Sequence, residues 1–125
     1  MAAEENLDQI HIRDLALRCF VGVDEQERRE KQPVVINVTL YADLTAACRS
    51  DRLEDTVDYK AVKQRIIKEV ENSACFLIEH LAQRIADRCL EYDKVRRVRV
   101  CLEKPAALRF ARTVAVEIVR DRKAP

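Results

Sequence analysis

Two short runs near the C-terminal end of the chain alternate apolar and polar residues with a period of two. Val98, Val100 and Leu102 alternate with Arg99, Cys101 and Glu103, and Val114, Val116 and Ile118 alternate with Ala115, Glu117 and Val119. That period belongs to a strand with one buried face, not to a helix. Between the runs lie Lys104-Pro105 and then Ala-Ala-Leu-Arg-Phe-Ala. Pro105 has no N–H to give to a ladder, so the first of these strands is predicted to end at Lys104. The stretch from Val98 to Val119 therefore reads strand, loop, strand. It sets one ammonium at a strand end facing a loop, where sites are commonly built on a rigid frame. On spacing alone, Lys104 reads as a solvated strand-end lysine.

The same pattern recurs upstream. His11 to Gly22 is predicted as a first strand, with Leu15, Leu17, Cys19 and Val21 on one face. Gly22 is the only glycine, so its position invites a backbone reason: a strand-ending turn or a close approach of the backbone. Val34 to Asp43 is a second strand, in which Val34, Ile36, Val38 and Leu40 share a face. The two are expected to pair as a hairpin. Their connection, Val23 to Gln32, is charged and longer than the usual two to five residues, and long loops in compact domains are often functional. Any single glutamate in it, Glu27 included, reads by default as part of a solvated loop.

The middle of the chain carries helical periods. Leu44 to Asp55 is a polar connection, short-helical or irregular. Thr56 or Asp58 is suited to cap a helix in which Tyr59, Val62, Ile66 and Val70 form an apolar stripe widened by Ile67. Tyr59 lies in the first turn, where its hydroxyl can leave the core. A second helix is predicted from about Phe76 to Tyr92, with Leu77, Leu81, Ile85 and Cys89 as one row and Ile78, Ala82 and Ala86 beside it. Glu79 falls in its first turn, where a carboxylate suits the helix dipole. His80, with only His11 for company, makes no metal site. Arg96, Arg97 and Arg99 form a small basic cluster whose ordinary meaning is a solvated strand face. MAAEENLDQ is too acidic and polar for a signal peptide and is expected to fray, as is Asp121 to Pro125.

The resulting order is β-β-α-α-β-β: an α+β architecture with an antiparallel sheet and two helices on one face. So few strands leave sheet edges that must be covered or paired, and an oligomer that continues the sheet between subunits would do so. A length of 125 residues suggests one domain, residues 1–125. The formal net charge of +1 argues against a dedicated nucleic-acid binder. Five cysteines without Cys-x-x-Cys spacing suggest neither a disulfide framework nor a zinc ribbon, but reduced thiols in a cytoplasmic protein. No apolar run approaches the roughly 18 residues of a membrane span.

Four pieces of the chain, in this order and spacing, resemble one family. They are Val21-Gly22-Val23 followed by Glu27 and Gln32; Asp55-Thr56-Val57-Asp58-Tyr59; Phe76-Leu77-Ile78-Glu79-His80-Leu81-Ala82; and Glu103-Lys104-Pro105. The sequence resembles the dihydroneopterin aldolases of folate biosynthesis and the related dihydroneopterin-triphosphate epimerases, over about Ile10 to Arg120. The resemblance implies a tunnelling fold, in which subunits join their sheets into a barrel with helices outside, as a tetramer or octamer with active sites between neighbours. It implies a small-molecule dihydropterin substrate, with no metal and no cofactor.

Residue by residue, Glu79 matches the anchor of the pterin ring, and Ile78 and Val57 match positions that contact the ring. Lys104 matches the acid/base lysine, Tyr59 the tyrosine that helps protonate the enamine-like intermediate, and Glu27 the loop glutamate that orients hydroxyls or a water with Lys104. The run Ala107 to Ala111 and the acidic loop Asp24-Glu25-Gln26-Glu27 resemble epimerases, whereas Thr56 to Tyr59 and Leu77 to Leu81 resemble aldolases. Arg109 and Arg112 are candidate contacts for a triphosphate. The expected activity is retro-aldol cleavage of 7,8-dihydroneopterin, with triphosphate epimerisation as the alternative and a non-catalytic oligomeric binding module as a second one.

Overall fold

The structure, a computed structural model, describes residues 6–123. In chain order the elements are strands β1 (Asp8–Val21) and β2 (Gln32–Ala42), helix α1 (Thr45–Ser50), a 3-10 turn (Leu53–Asp55), helix α2 (Tyr59–Glu71), strand β3 (Ala74–Cys75), helix α3 (Ile78–Cys89), and strands β4 (Arg97–Lys104) and β5 (Val114–Asp121). They form one five-stranded sheet in the order β3-β1-β2-β4-β5. The expected hairpin is present, and β2–β4 and β4–β5 are antiparallel as well.

The alternation read in the sequence is the alternation of burial. Val34, Ile36, Val38, Leu40 and Ala42 of β2 face the core, and so do Val98, Val100 and Leu102 of β4. In β1 the parity changes midway: Ile10 and Ile12, then Leu15, Leu17, Cys19 and Val21, all pack on the same core. A β-bulge reconciles them. Pairing passes from Ile12–Val38 to Leu15–Ile36, so Arg13 and Asp14 both oppose Asn37. Asp14 takes φ 57°, and its N–H donates to Asn37 Oδ1 at 2.9 Å.

Both main helices cover the core face of the sheet, α2 against β1 and α3 against β4 and β5. Asp58 is the cap of α2, its carboxylate accepting from Ala61 N–H at 3.2 Å. Val62, Ile66 and Val70 are fully buried on one side of that helix, and Leu81, Ile85 and Cys89 on one side of α3. Each large buried side chain contributes about 1.5–3 kcal/mol. Between the helices the nearly buried Glu69 accepts from Arg84 Nε at 2.7 Å.

Several boundaries differ from the sequence reading. β1 begins at Asp8, which pairs with Ala42, so Asp8 and Gln9 belong to the sheet and not to a frayed tail. Residues 1–5 of that expected tail lie outside the described residues. Ala74 and Cys75 add a fifth strand, parallel to β1 at Phe20 and Val21, too short to carry a period. The sheet is therefore mixed. α3 consequently starts at Ile78, with Leu77 as an extended, exposed N-cap (φ −118°), and ends at Cys89.

The polar connection after β2 contains α1 and the 3-10 turn. At the other terminus Asp121 closes β5. Arg122, expected to be disordered, donates to the carbonyls of Leu90 (2.5 Å), Tyr92 (2.7 Å) and Val95 (2.9 Å), which fastens the turn after α3. Residues 124–125 lie outside the described residues.

This topology gives the molecule two ends. One holds the C-termini of β1, β4 and α2 with the N-terminus of α3. The other holds Ala42, Arg97, Asp121 and the N-terminus of α2. Thirteen helical residues at 1.5 Å each set the two ends of α2 roughly 20 Å apart.

Candidate active site

Lys104 is the last residue of β4 and continues the buried row of Val98, Val100 and Leu102. Only 9% of its side chain is exposed, yet it carries an ammonium. A buried cation needs an anionic partner. That partner is Glu27, whose Oε2 accepts from Lys104 Nζ. Glu27 arrives from the long β1–β2 loop, which turns back over the strand end through Arg28 N–H to Asp24 C=O at 3.1 Å. Its other oxygen accepts from Asp24 N–H at 3.2 Å. The hydrogen bond from Lys104 is the largest reason that the Glu27 carboxyl is held below the usual carboxylate range.

Gly22 makes this arrival possible. Its φ of +145° is a conformation that side-chain-bearing residues rarely adopt, and a Cβ there would lie 2.4 Å from Glu27 Oε1. Of the two reasons the sequence offered for a glycine, the close approach is thus supplied, by the loop folding onto the end of β1.

Ile78 and Glu79 form the facing wall. They open α3, and the first helical hydrogen bond there runs from Leu81 N–H to Leu77 C=O at 3.2 Å. The N–H groups of Ile78, Glu79 and His80 precede it, and Leu77 gives them no side-chain cap. Glu79 is exposed and accepts no hydrogen bond among the described residues, so its carboxylate is available to a ligand. Gly22, Glu27, Ile78, Glu79 and Lys104 line one cleft of about 200 Å³, with Phe76, Leu77 and Ala107 at its rim. His80 does not line it.

Val57 and Tyr59 are not part of this cleft. Val57 is buried at 3% exposure, Tyr59 is 55% exposed, and each lines a groove at the N-terminal end of α2, the far end of the molecule from Lys104. Of the six residues singled out in the sequence, four meet and two stand apart. Ligand pockets generally measure about 300–1,000 Å³, so the Lys104 cleft is small for a complete site.

What the arrangement can do is exchange protons and hold a flat, hydrogen-bonding ring. Among the described residues no group of three or more His, Cys, Asp or Glu is gathered to hold a metal ion. Cys19, Cys75 and Cys89 are buried free thiols, and burial pushes Cys89 up to about 12, which leaves it unreactive. Two of the three arginines of the basic cluster pair with acids: Arg97 meets Asp121 at 2.5 Å and Arg99 meets Glu117 at 3.3 Å. No described helix is long and apolar enough to cross a membrane.

Sequence reasoning missed Arg28, which spans the loop and β3, and the apolar rim at Phe76. Loop residues carry no period, so nothing in their spacing announces a partner 46 residues away.

Residues 10–119 match the family model described as dihydroneopterin aldolase. The chain is 34% identical over 119 residues to a dihydroneopterin triphosphate 2'-epimerase from Pseudomonas aeruginosa, covering 95% of this chain and 97% of that one. Its fold is similar to the crystal structure of Escherichia coli dihydroneopterin aldolase in complex with neopterin, with a TM-score of 0.86 at 28% identity, covering 90% and 98%. A Burkholderia dihydroneopterin aldolase bound to guanine matches with a TM-score of 0.82 at 31% identity, covering 96% and 95%. The family model spans residues 10–119 and these proteins match along nearly the whole length of the chain: the chain belongs to the dihydroneopterin aldolase family.

Proposed function

We propose that the protein cleaves the C1′–C2′ bond of 7,8-dihydroneopterin, releasing glycolaldehyde and leaving 6-hydroxymethyl-7,8-dihydropterin. The observation that carries this reading is the Lys104–Glu27 pair set opposite the unengaged Glu79 carboxylate in one cleft. A retro-aldol cut needs an electron sink, and the dihydropterin brings its own in the ring C=N beside the side chain. The proton on the 2′-hydroxyl leaves, C2′ becomes the aldehyde carbon, and the C1′–C2′ electrons move into the ring as its N5 takes up a proton. Protonation of C1′ and loss of the N5 proton then restore the C=N.

Glu79 accepts two parallel hydrogen bonds from the amino-pyrimidinone edge, which displays adjacent N–H donors. Neopterin and guanine, each bound by a related aldolase, share that edge. Lys104, with Glu27 as its counter-charge, moves protons between the 2′-hydroxyl and N5, through a water where the distance requires one. Tyr59 assists protonation at C1′, and Val57 and Ile78 pack on the ring. The reaction runs on these side chains without a cofactor.

Because Tyr59 and Lys104 lie at opposite ends of one chain, a complete site needs two. The open outer edges of β5 and of residues 8–19 of β1 support an assembly in which sheets continue from chain to chain. Such a homo-oligomer brings Val57 and Tyr59 of one chain to the Lys104 cleft of its neighbour.

Epimerisation at C2′ of the triphosphate is the second reading, favoured by the full-length similarity to the Pseudomonas epimerase. It uses the same cut followed by re-addition to the other face of the aldehyde. The loop that leaves the cleft at Ala107 carries Arg109, which lies over the Phe110 ring, and the exposed Arg112, which pairs with Glu103 at 3.4 Å, and this reading assigns the two to the phosphates. The test is product analysis by chromatography after incubation with 7,8-dihydroneopterin and, separately, with its triphosphate. Release of 6-hydroxymethyl-7,8-dihydropterin mainly from the unphosphorylated substrate supports the aldolase. Rapid 2′-epimer formation from the triphosphate with little cleavage moves the protein to the epimerase branch, and no change in either contradicts both.

A further inference from the structure

Arg28 follows Glu27 in the chain and turns the other way. Its Nη2 donates to Ala74 C=O at 2.9 Å, its Nη1 to Cys75 C=O at 3.0 Å and to Gly22 C=O at 3.4 Å, and its guanidinium lies over the Phe76 ring, 4.1 Å from the centroid. It forms no ion pair with a carboxylate among the described residues, although its neighbours do: Glu25 pairs with Arg29 at 2.6 Å and Glu27 with Lys104. A half-buried guanidinium that spends its donors on three backbone carbonyls and its face on an aromatic ring is a structural clamp.

The clamped pieces are the two walls of the cleft. Gly22 opens the loop that brings Glu27 to Lys104. Ala74, Cys75 and Phe76 lead directly into the first turn of α3, which carries Ile78 and Glu79. We propose, resting on the retro-aldol reading above, that Arg28 is a positioning residue: by tying the β1–β2 loop to β3 and Phe76 it holds the Glu27 carboxylate on Lys104 and fixes that pair against the ring-binding wall. Glu79 itself rides on α3, whose buried face anchors it independently. Loss of Arg28 therefore falls on proton transfer before it falls on ring binding.

The test compares the wild-type protein with Arg28→Ala, Arg28→Lys and Glu27→Gln. Lys104 labelling by acetic anhydride, read by peptide mass spectrometry, reports whether its carboxylate cover is in place, and steady-state kinetics report turnover. In a folded Arg28→Ala variant, Lys104 labelling rises several-fold toward the Glu27→Gln level while Lys60 and Lys68 label as before. There kcat falls by about tenfold to a hundredfold, as for a reacting group displaced by about 1 Å, and KM moves less than about threefold.

Arg28→Lys keeps the charge but cannot span three carbonyls, so it gives a smaller change in the same direction, and it decides the matter if Arg28→Ala does not fold. Wild-type Lys104 labelling and wild-type kcat in the folded variants would overturn the proposal, and a lowered Tm alone would not support it. If Lys104 labelling rises but the wild-type protein releases no product from dihydroneopterin, the functional reading falls and the positioning role stands.

Discussion

Lys104 is charged where its strand calls for an apolar residue. The alternation Val98, Val100, Leu102 puts position 104 on the core face, and the structure buries it there against Glu27. In principle the pattern alone could have said this: a lysine in phase with three buried side chains is a cation that needs a partner. Spacing could not name the partner, which comes from a loop 77 residues away; only the family resemblance set Glu27 beside Lys104. Glu79, by contrast, is explained by the helix dipole alone, and only the family resemblance and the open cleft give it a further use.

The two residues should separate in kinetics. Lys104→Met is expected to lower kcat by on the order of 10²–10⁴ with neopterin binding, measured by calorimetry, nearly unchanged. Glu79→Gln is expected to raise KM by about tenfold to a hundredfold, through loss of charge-assisted hydrogen bonds, and to change stability by less than about 1 kcal/mol.

Glu27 also sets a pH dependence. Its folded pKa is depressed, chiefly by the hydrogen bond from Lys104, so its contribution to stability is present above the unfolded value and is lost as pH falls through the folded one. Thermal unfolding of the wild-type protein and Glu27→Gln should differ by about 1–3 kcal/mol at pH 7, where the variant leaves a buried ammonium uncompensated. The difference should begin to narrow near the ordinary glutamate pKa of about 4.3 and close in stronger acid.

At the scale of elements, long periods were legible and short or aperiodic pieces were not. The four long strands and both main helices follow from alternation and from 3–4 spacing. β3 has two residues, and α1 buries none of its own, so neither leaves a pattern. The bulge in β1 was written in the sequence as a change of parity between Ile12 and Leu15, plain once Ile10 joins Ile12 in the strand.

The end of the chain was misread because a lone arginine after a strand looks like tail. Arg122 satisfies three carbonyls around the end of α3, groups that a helix terminus otherwise leaves to water. Arg122→Ala is expected to destabilise the fold by about 1–3 kcal/mol in urea unfolding. Tyr92, in that turn, lines the groove that holds Val57, so turnover is expected to fall together with stability. Gly22→Ala sits at the site end and should do both: strain the backbone by about 1–3 kcal/mol and displace Glu27, with turnover falling alongside Tm.

At the scale of the whole molecule, four of the six singled-out residues gather at one end, and Val57 and Tyr59 sit roughly 20 Å away along α2. Motif spacing could not reveal that division, because a resemblance lists residues without saying which chain supplies each. The sheet leaves two open edges, and the assembly proposed above joins β5 of one chain to β1 of the next and draws each site from two chains. One measurement tests this most directly: glycolaldehyde release from 7,8-dihydroneopterin by Lys104→Met and Tyr59→Phe chains, each expressed alone and then both together. If a site takes Lys104 from one chain and Tyr59 from another, each variant alone is impaired, and the co-expressed mixture regains about a quarter of wild-type activity, the share of sites that receive both intact residues by random assembly. A mixture no more active than the mean of its two components, beside an active wild-type protein, would contradict the shared site.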